Sequence, residues 1–468
     1  MQLIHLNPSS TVPLVIQIVE GIKTRIDEKL IRAGSRLPSI RKFANDHNVS
    51  RFTVVQAYDR LVAMSYVISK KGSGFDVANR VTLGVPSVQT ANLEKATDVL
   101  WLLKTALSRD APASVPGSGW LPTSWLNEGG IRKSLRLLSQ RPGSHLTNYG
   151  QPYGYLPLRD HLQNKLGMLG IACDLPQIMT TRGASHALDL VGRYLVRPND
   201  TILVDDPGYY TLFGYLKSLG AKIVGVPWNF DGPDVAVMEE LIKEHQPKLF
   251  FTNTVLHNPT GSTISQAVAY RILQLAEKYD LYIVEDDIYS DFDTTKATRL
   301  AALDQLNRVI YIGSFSKTIS ASLRVGFLAC RRDMANDLVD LRLLTSMTTS
   351  EIDERLIYQV LTDGGYRKHL DKLGLRLQSA HQHTIKHLEN SGLEVYRAPS
   401  GGMFIWAKTS CNSDAAEIAK TAATQGIILA PGYLFRPHQE PSPWFRFNVA
   451  YCNDPTIFEF FSALASTT

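Results

Sequence analysis

The chain has 468 residues, of which 44% are hydrophobic and 20% charged, with a formal net charge of +5. That length exceeds what one core holds and sets a prior of about three domains, while the composition excludes a disordered or fibrous chain. No run of about 18 uncharged apolar residues occurs, so no membrane span is expected.

The N-terminus lacks a basic stretch followed by an apolar core, so no signal peptide is expected. Cys173, Cys330, Cys411 and Cys452 are scattered without ligand spacing. They predict buried thiols, a cytoplasmic setting and no metal site. The charge is unevenly placed. Residues 1–80 hold twelve Lys/Arg and six Asp/Glu, a balance of +6, which leaves −1 on the rest. A basic segment on a near-neutral body fits either a local anionic partner, nucleic acid first, or an ordinary solvated face.

In chain order, Val15, Val19, Ile22, Ile26 and Leu30 fall on one helix face, with Ala33-Gly34 as the stop. A short helix follows Pro38-Ser39, with Ile40, Phe43 and Ala44 inward. Asn48-Val49 turns the chain, and Ser50 caps a longer helix through Met64 whose inner face is Val54, Ala57, Tyr58 and Leu61. Tyr66-Val67-Ile68 and Phe75-Asp76-Val77 flank a basic, glycine-rich tip, Lys70-Lys71-Gly72-Ser73-Gly74. Two short helices, a tight turn and a hairpin predict a winged helix-turn-helix, mainly α with a β wing. The first turn of the second helix would enter a DNA major groove with Ser50, Arg51 and Thr53. Arg51 can reach a guanine edge or a phosphate. Arg41, Lys70 and Lys71 would neutralise phosphates.

These residues carry a resemblance. Pro13-Leu14, Ala33 through Arg41, Val49 through Val54 and Ala57 through Leu61 resemble the GntR family of winged-helix regulators over residues 13–78. The resemblance implies double-stranded DNA as partner. It places the contacts on Arg41, Ser50, Arg51, Thr53 and the wing glycines Gly72 and Gly74.

Residues 81–118 read as a linker. A helix-like stretch from Leu93 to Leu107 precedes Asp110-Ala111-Pro112-Ala113-Ser114-Val115-Pro116-Gly117, which predicts a tether between two bodies.

From 119 to 468, strand-like runs alternate with helical ones. The strands are expected at 178–181, 201–204, 222–226, 249–252, 281–284 and 309–312, the pattern of an α/β fold with a mainly parallel sheet. The large lobe would cover about 150–335. The remainder would form a smaller α+β lobe with strands near 393–406 and 444–449.

The chemistry gathers after those strands. Lys317 follows the 309–312 strand among Ser314 and Ser316, with Arg324 seven residues on. Hydroxyls and an arginine can cradle a phosphate, and the amine can form a Schiff base with a carbonyl. Together they point to pyridoxal phosphate (PLP). Asp286 ends another strand and can hold a pyridine nitrogen, or cap a helix. Tyr289 can donate to a ring oxygen or pack as a plain aromatic. Gly183-Ala184-Ser185 opens a helix and can bind phosphate through its N–H groups. Tyr209 can stack on a flat ring or line the core. Asn258, in Asn258-Pro259-Thr260-Gly261, sits in a turn that can aim its amide. Arg446 is a charge inside an aromatic strand, so it pairs either with a ligand carboxylate or with an internal acid.

Tyr149-Gly150, Gly183, Pro207-Gly208-Tyr209, Asn258 to Gly261, Asp286 with Tyr289, Ser314 to Lys317, Arg324, Gly401-Gly402 and Arg446, in that order, resemble fold type I aminotransferases over roughly 119–465. The resemblance implies Lys317 as the Schiff-base lysine, Asp286 on the ring nitrogen, Asn258 and Tyr289 on the ring hydroxyl and Tyr209 over the ring. Ala184, Ser185, Ser314, Ser316 and Arg324 would hold the phosphate. Tyr149 would reach the neighbouring subunit's phosphate in a homodimer, and Arg446 an amino acid's carboxylate. The two halves together resemble the MocR subfamily. That implies a PLP-dependent regulator responding to an amino compound or to PLP itself, with a working aminotransferase bearing a DNA-binding arm as the alternative.

Overall fold

A computed structural model describes residues 3–70, 74–78, 103–104, 114–140, 142–143, 146–409 and 414–467. It divides into two compact units, Met1–Thr90 and Ala91–Thr468.

The first unit comprises α1 (Leu14–Asp27), α2 (Ile40–His47) and α3 (Arg51–Ala63), then an antiparallel pair, β1 (Val67–Lys70) and β2 (Gly74–Val77). Asn48 turns the chain between α2 and α3 in the left-handed region, with φ 52°, where asparagine is among the better tolerated side chains. Ile18, Val19, Ile22, Phe43, Val54, Ala57, Tyr58 and Leu61 close one core. The expected inward face of α1 needs one correction. The N–H groups of Leu30 and Ile31 both donate to the Arg25 carbonyl, so the chain has already left the helix and Leu30 is 66% exposed. Ile18 fills the core instead. Lys71, Gly72 and Ser73 of the wing tip lie outside the described residues.

The second unit carries an eight-stranded sheet built from β3 (Ile178–Thr181), β4 (Thr201–Asp206), β5 (Lys222–Asn229), β6 (Gly232–Pro233), β7 (Leu249–Thr252), β8 (Tyr282–Asp286), β9 (Val309–Ser314) and β10 (Gly326–Ala329). The order is β3-β10-β9-β8-β7-β4-β5-β6. β5, β4, β7, β8 and β9 are mutually parallel, as their continuous apolar runs predict for strands covered on both faces. Two strands of this sheet were not expected, the two-residue β6, antiparallel to β5, and β10. β10 lies antiparallel between β9 and β3, with Gly326 opposite both Ser314 and Thr181. Two apolar cores cover the two faces of this sheet.

A second sheet, ordered β11-β12-β14-β13, is antiparallel throughout. Its strands are β11 (Leu393–Val395), β12 (Phe404–Thr409), β13 (Ala430–Pro431) and β14 (Trp444–Asn448). It packs with a 26-residue helix, Gly365–Asn390, around the smaller lobe's core. Most of the expected linker, and its helix apart from residues 103–104, lies outside the described residues. Residues 114–118 do not behave as tether. Ser114 bridges Ile427, the Gly117 N–H donates to the Ile428 carbonyl, and the Asn448 N–H donates to the Pro116 carbonyl. Cys330 and Cys452 are buried, Cys173 is only half-buried, and Cys411 lies outside the described residues. Among the described residues no helix is long and apolar enough to cross a membrane, and no group of metal-ligating side chains occurs.

Candidate functional site

Parallel strands end on one edge, so the loops that leave them converge there. β3 leads to Gly183, β4 to Tyr209, β7 to Asn258, β8 ends at Asp286 and β9 leads to Lys317. β10 runs the other way, so its entry, Arg324, arrives at the same edge. This antiparallel strand is what brings Arg324 back to the serines beside Lys317.

At one end of the cleft, the Ser314 hydroxyl donates to Ser316 Oγ at 3.0 Å, and Arg324 Nη1 lies 3.4 Å from Ser316 Oγ. Arg324 holds φ 50°, a conformation that costs a non-glycine residue energy and that functional sites tolerate. Its guanidinium passes over Gly183, where a Cβ would sit 2.6 Å from Nη2. Gly183 has φ 75° and caps the helix Ala184–Leu195, so the N–H groups of Ala184 and Ser185 open that helix. Arg324 therefore joins the serine pair to this helix start, a combination that suits an anion. Tyr149, 76% exposed, stands beside Arg182 and Arg324 on an open cavity of this region.

In the middle, Lys317 Nζ donates to the Gly119 carbonyl at 2.6 Å and lies 5.9 Å from the Tyr289 ring centre. Burial and the Arg446 charge lower its pKa from 10.5 to about 8, against the opposing pull of Asp286. Burial and the Asp287 charge push the Asp286 carboxyl up to about 7, and Asp286 Oδ1 is buried without a hydrogen-bond partner. The Asp286 main-chain oxygen accepts from Asn253 Nδ2 and the carboxyl accepts from the Ile288 N–H, so the strand end is pinned while Oδ1 alone is left without a partner. Asp205 lines the same small cavity as Asp286, Tyr209 and Asn253. It accepts from the Asn253 N–H and faces His257, which stacks on Trp228.

Beyond the lysine, Arg446 is 2% exposed in β14. Nη1 donates to Asn258 Oδ1 at 2.9 Å and Nη2 to the Gly117 carbonyl at 2.8 Å, while Nε is buried without a partner. Among the described residues no carboxylate lies within ion-pair distance of it. With its oxygen held by Arg446, the Asn258 amide presents N–H groups elsewhere. Phe404 and Phe435 flank the guanidinium at 4.4 and 4.9 Å.

Sequence reasoning missed Gly117, Gly119, Asp205 and His257. The first two contribute only carbonyls, which side-chain motifs do not reveal; the run Pro116-Gly117-Ser118-Gly119 reads as a loop. An acid just before Asp206-Pro207 was the only signal for Asp205.

In the first unit, the Ser50 hydroxyl accepts from the Thr53 N–H at 3.0 Å and pairs with Thr53 Oγ1 at 2.7 Å. This cap starts α3 and leaves Arg51 and Phe52 exposed at its first turn, Phe52 by 70%. Arg41 is exposed on α2. Lys70 pairs with Asp76 across the hairpin at 2.7 Å and keeps more than half of its side chain exposed. Gly74 holds φ 99° against the Arg36 guanidinium. The exposure of Phe52 was not foreseen because an apolar side chain in a helical run reads as core.

Family comparison agrees with both units. Residues 131–464 match the class I and II aminotransferases, and residues 14–77 match the gntR family of bacterial regulatory proteins. The chain belongs to the class I and II aminotransferase family, with a gntR-type helix-turn-helix domain ahead of the aminotransferase body. That is the architecture of the MocR subfamily. Full-length relatives include an uncharacterized HTH-type transcriptional regulator, YdfD of Bacillus subtilis, 29% identical over 94% of this chain and 93% of its own. NorG of Staphylococcus aureus, an HTH-type transcriptional regulator, is 24% identical over 86% and 92%. Among solved structures, kynurenine aminotransferase of Pyrococcus horikoshii, in complex with PMP, superposes with a TM-score of 0.72 at 25% identity, over 81% of this chain and 95% of that one. A multiple substrate aminotransferase of Thermococcus profundus does so equally.

Proposed function

We propose that this protein is a PLP-dependent transcription regulator that binds DNA through its first unit and senses an amino compound, or PLP itself, at Lys317. The observation that carries the reading is the buried Arg446 without an anion, in one cleft with Lys317 and the unpartnered Asp286 oxygen. A buried cation and an orphaned carboxylate oxygen are costly unless a ligand completes them.

The residues fit the cofactor. Asp286 would hold the proton at the ring nitrogen, and its raised pKa suits a shared proton. Asn258 Nδ2 and Tyr289 would face the ring hydroxyl, and Tyr209 the ring. Ala184, Ser185, Ser314, Ser316 and Arg324 would hold the phosphate, with Tyr149 serving the partner's site in a homodimer. When bound, PLP supplies an electrophilic aldehyde and an electron-withdrawing ring. Lys317 would supply the amine, and Arg446 the fork for a ligand carboxylate. In the first unit, Arg51 would reach a base edge or phosphate, Arg41 a phosphate, and Ser50 and Thr53 would fix the helix start between them. A ligand alters DNA binding only if it binds two states with different affinity.

The test is direct. Full-length protein mixed with PLP should gain visible absorbance that Lys317→Ala abolishes, and borohydride should fix a pyridoxyl mass on Lys317. A colourless protein in excess PLP refutes the cofactor role. Footprinting on its own promoter region should show protection that Arg51→Ala weakens; no protection at low salt refutes the regulator role.

The filled catalytic positions favour one second reading, a working aminotransferase. Lys317, with its pKa near 8 beside Asp286, suits proton transfer. Multiple-turnover amino transfer at about 1–1000 s⁻¹ would support it.

A further inference from the structure

The second unit carries its positive charge unevenly. The 26-residue helix Gly365–Asn390 holds five Lys/Arg and two Asp/Glu, a balance of +3. Residues 81–468 together balance −1, so the chain around that helix is left at −4. Lys368, Lys372, Arg376 and Lys386 are all exposed. At 3.6 residues per turn they fall within about 80° of arc, and the stripe runs about 27 Å along the helix. Asp371 and Glu389, the helix's two acids, fall outside that arc. Other helices of this unit pair exposed cations with acids of their own, Arg132 with Glu128, Arg193 with Asp189 and Lys243 with Glu239. Among the described residues no ion pair reaches the four cations of the stripe. Arg376 meets only the Ser124 carbonyl and the Trp125 ring.

Lys368, Lys372 and Arg376 stand four residues apart, where like charges destabilise a helix. A surface shaped by folding alone intersperses acids. The stripe is therefore complementary to a polyanion. A DNA duplex presents one negative charge per about 1.7 Å of axis, and chain continuity keeps any duplex gripped by the first unit at high effective concentration near the second.

Resting on the function proposed above, we infer that the helix Gly365–Asn390 is a second DNA-binding surface, which holds the phosphate backbone of a further length of the duplex that the first unit reads. Its contribution is independent of sequence, because lysines that neutralise phosphates fix position without reading bases. The stripe's length corresponds to about eight base pairs. It lengthens the protected stretch and steepens the salt dependence of binding.

The test uses full-length, PLP-loaded protein and a duplex of its own promoter region, with affinity followed by fluorescence anisotropy over a range of salt. Lys368→Gln, Lys372→Gln and Lys386→Gln are combined, and Arg376, which packs on Trp125, is left in place. Arg132→Gln, Arg193→Gln and Lys243→Gln together form a variant of equal charge. The helix variant should flatten the slope of log affinity against log salt by about 0.9 per lost phosphate contact, up to about 2.7, and bind roughly tenfold or more weakly at low salt. Its footprint should shorten, while its base preferences and PLP uptake stay as they were. The charge-matched variant should keep both slope and footprint. An unchanged slope in the helix variant overturns the inference. So does an equal loss in the charge-matched variant, which would make the effect one of net charge alone. Capture of poly-L-glutamate by the stripe with the DNA slope unmoved would assign the surface to an acidic protein and overturn it as well. Unaltered protein that binds no duplex at any salt refutes the first unit's role together with this one, whereas protection that depends on Arg51 with an unmoved slope refutes this one alone.

Discussion

The reactivity of Lys317 can be predicted from its surroundings. A lysine with the ordinary pKa of 10.5 is about 0.03% neutral at pH 7, whereas one at about 8 is about 10% neutral, roughly a 300-fold gain in nucleophile. Burial is the larger cause and the Arg446 charge the next. In cofactor-free protein, labelling of Lys317 by a small amine-reactive reagent, followed by peptide mass spectrometry, should rise about tenfold per pH unit at low pH and level off near pH 8. Arg446→Gln keeps a hydrogen-bonding side chain beside Asn258 but removes the charge. It should move the plateau to higher pH and slow labelling at pH 7 several-fold. A rate that climbs log-linearly past about pH 9 in the unaltered protein would refute the argument, since that is how an unperturbed lysine behaves. The same shift is linked to stability. Between about pH 8 and 10.5 the unfolded chain holds a proton that the folded one lacks, so this group makes the fold more stable as pH rises through that window.

Gly183→Ala forces a Cβ to 2.6 Å from the Arg324 guanidinium at a φ of 75°; PLP affinity measured by absorbance should fall roughly tenfold or more, while Gly167→Ala, with open space around it, leaves it unchanged. Ser50→Ala removes the α3 cap and should cost about 1 kcal/mol, read as a lower first-unit transition in calorimetry of the full chain. Arg51→Ala should weaken promoter binding. If its contact is a phosphate, the salt slope should also fall by about one, whereas a base contact should cost about 1–3 kcal/mol at one operator position. Phe52→Ala, by deleting an exposed ring beside Arg51, should reduce discrimination at a thymine methyl in a binding-site selection.

Much of the site was legible because it depends on local signals. A buried strand, an abrupt turn and a reactive side chain form a readable unit, and Lys317, Asp286, Asn258 and Gly183 each follow one. The same holds for α3, where Ser50 caps the helix and Val54, Ala57, Tyr58 and Leu61 recur at helical spacing. What was not legible was long-range pairing. Lys70 meets Asp76 only once the hairpin has its register. The strand Gly326–Ala329 is only four residues long, with nothing local to give its direction. Residues 114–118 resemble a linker because their hydrogen bonds run to positions more than 300 residues away.

By itself, then, the linear chain determined the two kinds of fold and most of their secondary elements and put forward the candidate reactive groups, because helix caps, apolar periods and turn residues act over a few neighbours. Only the tertiary structure decided that no acid among the described residues pairs with Arg446, and that Gly117 and Gly119 turn their carbonyls toward the two cations. Burial, unpaired charge and carbonyl direction belong to the packed arrangement of distant segments, and no short stretch of residues encodes them.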